Sequence, residues 1–170
     1  MLSYARGADL PVLDKTIHQC IDEWARESPD SEALVSRHQK LRLTQAQLRE
    51  EVMRTARGLW GLGVRPGDRI GMWSASCAEW VYLQAALGRI GAILVNLNPA
   101  YRAYDLHFVL ERARVKTLFL HEKDSRANYM EIVEEARRID HLSLENVVLL
   151  NDPAWDRMIE RGVEPPEIAT

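Results

Sequence analysis

Apolar and polar positions along the chain alternate between two rhythms, stretches of helical spacing and short continuous apolar runs. Thr16 is a good N-cap. Ile17, Cys20, Ile21 and Trp24 follow it at helical spacing, with Asp22, Glu23, Arg26 and Glu27 on the other side. Ser28-Pro29-Asp30 ends that helix, because a proline pushes the residue before it out of the helical region. Ala33-Leu34-Val35 and Leu41-Arg42-Leu43 read as short strands about a polar connection, Ser36 to Lys40, which predicts a hairpin. Thr44 and Gln47 then have capping-box spacing at the head of a stronger helix, whose apolar side is Leu48, Val52, Ala56, Leu59 and Leu62. Gly61 and Gly63 end it, and Arg65-Pro66-Gly67-Asp68 makes a turn.

Beyond that turn, strands and helices alternate. Arg69 to Trp73 reads as a strand, and Ser76 with Glu79 predicts a second capping box. The helix it opens, Cys77 to Ile90, is apolar nearly all round and is expected to be well buried, with Gly91 closing it. Ala92 to Val95, Thr117 to Leu120 and Asn146 to Leu150 are further strands. Between and after them lie helices marked by Leu106, Val109, Leu110 and Ala113, by Tyr129, Val133 and Ala136, and by Trp155, Met158 and Ile159. Such alternation predicts βαβ units and an α/β fold, a mainly parallel, doubly wound sheet flanked by helices. The expected organisation is one partial domain over 1–170. A helix and hairpin occupy 1–43, the alternating region 44–162, and a patternless linker or cut end 163–170. The five tryptophans fall on apolar positions and read as core rather than as a ligand platform.

Composition narrows the class. With 46% hydrophobic and 28% charged residues the chain is globular rather than disordered. A net charge of -3 lacks the basic excess of a general nucleic-acid binder, so no nucleic-acid partner is expected. No apolar run reaches membrane-spanning length, and the opening MLSYARGADLPVLDK has no apolar core of a signal peptide. Two cysteines are too few for a disulfide scaffold. A cytoplasmic chain with reduced thiols is the expectation.

Motif chemistry is sparse. The glycine cluster Gly58, Gly61, Gly63 and Gly67 lies after a helix and before a strand, the reverse of a dinucleotide fingerprint. Neither a G-x-x-x-x-G-K-[ST] phosphate loop nor a G-x-S-x-G elbow occurs. His18 and Cys20 point roughly 200 degrees apart on a helix, and His107, His121 and His141 lack zinc-ligand clustering. No catalytic residue and no metal site is therefore assigned. Open parallel sheets bind ligands outside the carboxyl ends of their strands, here Ser74 to Ser76, Asn96 to Arg102, His121 to Arg126, and Asn151-Asp152. In the second of these, Asn98, Tyr101 and Arg102 are candidate pocket residues; the same residues also suit a turn whose asparagines bond their own backbone. Lys123 and Arg126 are candidates to meet an anion beside the next helix's first amides, and also suit a solvated basic loop.

Several segments occur together in a familiar order: Tyr4-Ala-Arg-Gly7, Pro29-Asp30 with Glu32-Ala-Leu-Val35, and Leu43-Thr44 through Leu48. Gly61-Leu-Gly-Val64, Gly67-Asp68-Arg69, Cys77-Ala-Glu-Trp80, Arg89-Ile-Gly-Ala92 and Asn96-x-Asn-Pro-x-Tyr101 complete the series. In these the chain resembles the N-terminal part of AMP-forming acyl-CoA synthetases, within the adenylate-forming ligase superfamily. The last element is typical of the branch acting on medium- and long-chain fatty acids. Departures are Leu43-Thr-Gln-Ala-Gln-Leu48, which lacks the usual tyrosine and glutamate, Asp105-Leu106 for Glu-Leu, and Ser76 for a common asparagine.

The resemblance implies activation of a fatty acid with ATP and Mg2+, then transfer of the acyl group to CoA. It also implies that Lys123 and Arg126 are candidate contacts for CoA phosphates. In the family the phosphate loop, the adenine- and ribose-binding segments and the catalytic lysine lie downstream, with no counterpart in this sequence. The chain alone is then expected to be inactive, its partner being the remainder of the ligase polypeptide. The alternative is a stand-alone, non-catalytic module binding CoA or a protein. An incomplete sheet would leave an apolar face and an edge open, so self-association is a further expectation.

Overall fold

The structure is a computed structural model, which describes Gly7, residues 13–150 and residues 152–166. Tyr4-Ala-Arg6 of the family-like motif, Asn151 and the last residues of the expected linker lie outside the described residues.

Helix α1 (Ile17–Glu27) begins with a complete capping box, in which the Thr16 hydroxyl accepts from Gln19 N and the Gln19 side chain accepts from Thr16 N. Its inward side is not the stripe expected from spacing. His18 and Ile21 are buried, whereas Ile17 is 62% and Trp24 51% exposed. The cause is polar: Asp22 sits between Arg49 (2.8 Å) and Arg89 (2.7 Å), which belong to the next two helices, and this tether sets the helix's rotation. Burial raises the Asp22 carboxyl, but the two guanidinium groups outweigh it and hold the pKa below the usual carboxylate range.

Strands β1 (Glu32–Ser36) and β2 (Leu41–Thr44) pair antiparallel as a separate two-stranded sheet, the expected hairpin. Helix α2 (Gln45–Gly61) carries the Thr44–Gln47 capping box that its spacing announced. It ends where Gly63 turns to φ +96° and the Val64 amide returns to Leu59 O at 3.0 Å.

The remaining elements are β3 (Arg69–Trp73), α3 (Ala78–Arg89), β4 (Ile93–Asn96), α4 (Ala103–Ala113), β5 (Thr117–Leu120), α5 (Tyr129–Arg137), β6 (Asn146–Leu149) and α6 (Pro153–Glu160). The strands form one sheet in the order β4-β3-β5-β6, and every pair is parallel. Period-two alternation sorts the side chains between two cores. Ile70, Met72, Phe119 and Val148 face α1, α2, α3 and α6, while Trp73, Leu118 and Leu120 face α4 and α5. Gly71 allows this second core to close over the central strand, since a Cβ there would lie 2.8 Å from Leu118 Cδ1.

From β3 the chain steps outward to β4 through α3 on one face. It then crosses back over β3 to β5 through α4 on the other face, so one hand serves both crossovers. The connections leaving β3 and β5 therefore diverge to opposite faces, the condition for a crevice at the carboxyl ends of the strands.

The predicted Ser76–Glu79 capping box does not form. Helix α3 starts at Ala78, its N-cap is Cys77, and the Cys77 side chain makes no capping bond. The Ala78 amide donates instead to Gln39 Oε1 at 2.8 Å, and Gln39 Nε2 donates to Glu79 Oε2 at 2.8 Å. A side chain from the hairpin thus takes the Glu79 carboxylate that a local box would have used, and the Ala78 amide in place of the Glu79 one.

Candidate functional site

Three loops meet at the crevice, and they enclose a cavity of about 800 Å³. The first follows β3, where Ser74 is buried and Cys77 is 8% exposed, its thiol 3.6 Å from Ser74 Oγ. Burial pushes the Cys77 thiol up to about 11, so at neutral pH it is a protonated, weakly nucleophilic group. One turn into α3, Trp80 and Val81 also line the cavity, and the Trp80 indole approaches Asn96 Oδ1 at 3.5 Å. Trp80 packs on the core, as its apolar position predicted, and also lines the cavity, which that reading did not foresee. The signal was available in its position, because side chains in a helix's first turn lean back toward its N-terminus.

The loop after β4 is built on the indole of Trp73. Leu97 N continues the strand by donating to Met72 O at 3.0 Å. The next carbonyl, that of Asn98, accepts from Trp73 Nε1 at 2.8 Å and from Tyr101 N at 3.0 Å. Asn98 Oδ1 accepts from Ala100 N at 2.9 Å, the self-bonded asparagine turn weighed from sequence. Asn98 and Tyr101 nonetheless line the cavity, and half-buried Tyr101 also packs on the core beneath α4 and α5. Arg102 is not among the lining residues; its amide donates to Asp105 Oδ2 at 3.3 Å at the head of α4.

The loop after β5 is organised around Asp124. Its Oδ1 accepts from the amides of Arg126 (2.7 Å) and Ala127 (3.1 Å), and its Oδ2 from the Arg126 guanidinium and the Tyr129 hydroxyl, both at 2.9 Å. Burial works against the ionised form, but these four donors win and hold the Asp124 carboxyl down at about 2. Arg126 lines the cavity with its charge tied to Asp124. Lys123 is exposed, bridges by backbone to Asn128, and does not line it. The first amides of α5 are also engaged, Glu131 N donating to Asn128 Oδ1 at 3.3 Å. The structure therefore gathers Asn98, Tyr101 and Arg126 around one space and leaves Arg102 and Lys123 outside it.

The donor set indicates what this space can hold. Arg126 is the one cation among its described lining residues, and a Gln39 oxygen occupies the first amide of α3. Trp80, Val81, Leu97, Pro99 and Tyr101 supply apolar surface, while Ser74, Asn96 and Asn98 supply neutral polar atoms. A triphosphate with its magnesium does not suit such a lining, since the described lining residues include no carboxylate to hold the metal. An extended, largely uncharged ligand suits the lining better than a triphosphate does.

Fold and crevice together define a doubly wound α/β region with a crevice at the carboxyl ends of its strands. The profile of the family described as AMP-binding enzyme matches residues 21–168. The chain belongs to that family. It is 41% identical over 134 residues to the medium-chain acyl-CoA ligase ACSF2, mitochondrial, of Bos taurus, a match covering 78% of this chain and 22% of the relative. The chain thus spans about a fifth of the length of the curated relatives it matches. The N-terminal domain of FACL13 from Mycobacterium tuberculosis superposes with a TM-score of 0.78 at 21% identity, covering 92% of this chain and 38% of that one. The long-chain-fatty-acid-CoA ligase FadD1 of Archaeoglobus fulgidus gives 0.79 at 21% identity, covering 99% and 34%. Among the described residues no helix is long and apolar enough to cross a membrane.

Proposed function

We propose that the chain forms the amino-terminal part of a fatty acyl-CoA ligase and contributes one wall of its acyl- or CoA-arm-binding space. The observation that carries this is the cavity at the strand ends, largely uncharged with polar and apolar surface in similar measure, in a chain 41% identical over 134 residues to a medium-chain acyl-CoA ligase. On this reading Asn98 and Tyr101 line the path of the acyl group or carrier arm, and Arg126 meets a CoA phosphate at the rim, with Lys123 a weaker contact farther out. ATP and Mg2+ bind elsewhere in the ligase, because the donor set described above does not suit them. Each electrostatic clamp on a transferring phosphoryl group is worth about a hundredfold or more in rate. The chain by itself is therefore inactive and works with the remaining ligase polypeptide. Open strand edges and the exposed Tyr104 and Phe108 on α4 support self-association of the isolated chain, which light scattering checks.

The test is complementation. The chain alone, given decanoate, ATP, Mg2+ and CoA, is expected to form no acyl-CoA, and mixing or co-expressing it with the rest of a relative's polypeptide is expected to restore turnover. Turnover by the chain alone, or no restoration with any such partner, would overturn the proposal.

A further inference from the structure

Helix α3 lines one side of the cavity with Trp80 and Val81, and its N-cap residue makes no side-chain capping bond to its first turn. Cys77 caps nothing, and Ser76 is exposed. What holds that turn is Gln39, roughly forty positions earlier in the chain and at the tip of the β1–β2 hairpin. Its Oε1 accepts from Ala78 N (2.8 Å) and from Ser36 Oγ (2.7 Å), and its Nε2 donates to Glu79 Oε2 (2.8 Å). One amide therefore joins the buried base of the hairpin, the first free N–H of α3 and the first acidic side chain of that helix. The tip is itself shaped for this. Lys40 has φ +52°, a left-handed conformation that favours glycine, and its amide closes the turn on Arg37 O at 3.2 Å. A strained residue beside a side chain that makes two long-range bonds and one local one is the pattern expected where the surrounding structure over-determines a position.

We infer that Gln39 is a positioning residue of the ligand cavity: from the hairpin tip it clamps the first turn of α3, and so sets where Cys77, Trp80 and Val81 stand in the wall. The clamp is a geometric statement about the chain. Its importance for ligands rests on the reading of the cavity given under Proposed function.

Cys77 reports on the clamp without any ligand, since its thiol lies in the clamped turn and is nearly enclosed. In a Cys20→Ser background, alkylation of Cys77 by iodoacetamide is measured well below the melting temperature. Gln39→Leu is expected to speed it on the order of tenfold, by freeing the first turn to open. Gln39→Asn, too short to reach both partners, is expected to do the same more mildly. Gln39→Glu keeps an acceptor for Ala78 N but sets a carboxylate against Glu79, so it also speeds the reaction. Combining Gln39→Glu with Glu79→Gln restores a donor–acceptor pair with the roles exchanged, and returns the rate toward that of the parent.

Thr44→Ala, which weakens α2 at its own cap, is the control for general loss of stability and leaves the Cys77 rate unchanged. An unchanged rate in Gln39→Leu, equal acceleration by Thr44→Ala, or failure of the exchange to rescue would each overturn the clamp. A separate arm tests the cavity: decanoate or CoA slows alkylation in the parent. Absence of protection by either would count against the ligand reading and leave the clamp result standing.

Discussion

The loop after β4 and the loop after β5 carry similar side chains: amides, an arginine, a tyrosine nearby. They end in opposite states. Around Asn98 the backbone is satisfied by a core indole and by its own turn, so the side chains beyond it are left to line a cavity. Around Asp124 four donors converge on one carboxylate, so the Arg126 guanidinium is already paired within the loop. A basic residue near a helix N-terminus therefore offers an anion less net charge when a carboxylate of its own chain has reached the same donors first. Trp73 joins the two loops. It is fully buried, donates to Asn98 O, and packs edge-on against Tyr129 with ring centroids 4.9 Å apart.

That joint makes the comparison breakable from its centre. Trp73→Ala is expected to cost about 3–5 kcal/mol and to loosen both loops, visible as a large drop in the thermal midpoint and faster amide exchange at both. Trp73→Phe keeps the ring contact and removes only the Asn98 bond, costing about 1 kcal/mol, with exchange faster in the β4 loop alone. Asp124→Ala does the converse. It strands two amides and the Tyr129 hydroxyl, costs about 2 kcal/mol, and loosens only the β5 loop. If Asp124→Ala were neutral in a chemical-denaturation series, the picture of a loop closed on its own carboxylate would be wrong.

Acid sharpens the same contrast. The Asp124 carboxyl sits at about 2 in the folded chain, below roughly 3.9 for an unfolded aspartate. Its contribution is therefore fully present above about pH 4 and is lost as pH falls from there through about 2. The midpoint difference between the parent and Asp124→Asn is expected to be constant above pH 5 and to shrink below pH 4; a difference that persisted at pH 2 would contradict this.

Ligand effects are smaller. Arg126→Ala is expected to weaken CoA binding about fivefold and Lys123→Ala about twofold or less, as for exposed charges, because only Arg126 lines the cavity. Equal effects in a calorimetric titration would remove that distinction. Smallest of all is Arg114→Gly. Arg114 closes α4 at φ +52°, with Val115 N returning to Leu110 O, the place that Gly63 holds after α2. Glycine there relieves a left-handed side chain but adds freedom to the unfolded chain, for a net gain of about 0.5 kcal/mol.

Much of this was legible beforehand. The four parallel strands follow from apolar runs spaced by helices, and the α2 box from Thr44 and Gln47, since both depend on neighbours a few residues apart. The same local reasoning failed at Ser76–Glu79 and at Trp24, and it did not show that Trp80, besides packing on the core, lines the cavity. In each case a distant group decided. Gln39 displaced the local cap, Arg49 and Arg89 turned α1 by holding Asp22, and the outward step to β4 brought the first turn of α3 to the crevice.

Periodicity and capping act over three or four residues, so the sequence alone determined the order and type of the elements, the parallel α/β class and, through ordered motifs, the family. Which amide or charge reaches a given donor first is a contest between groups far apart in the chain, and it is settled only when packing brings them together. For that reason the tertiary structure alone decided that Asp124 pairs with Arg126, that Gln39 holds the head of α3, and that Asn98, Tyr101 and Trp80 share one cavity.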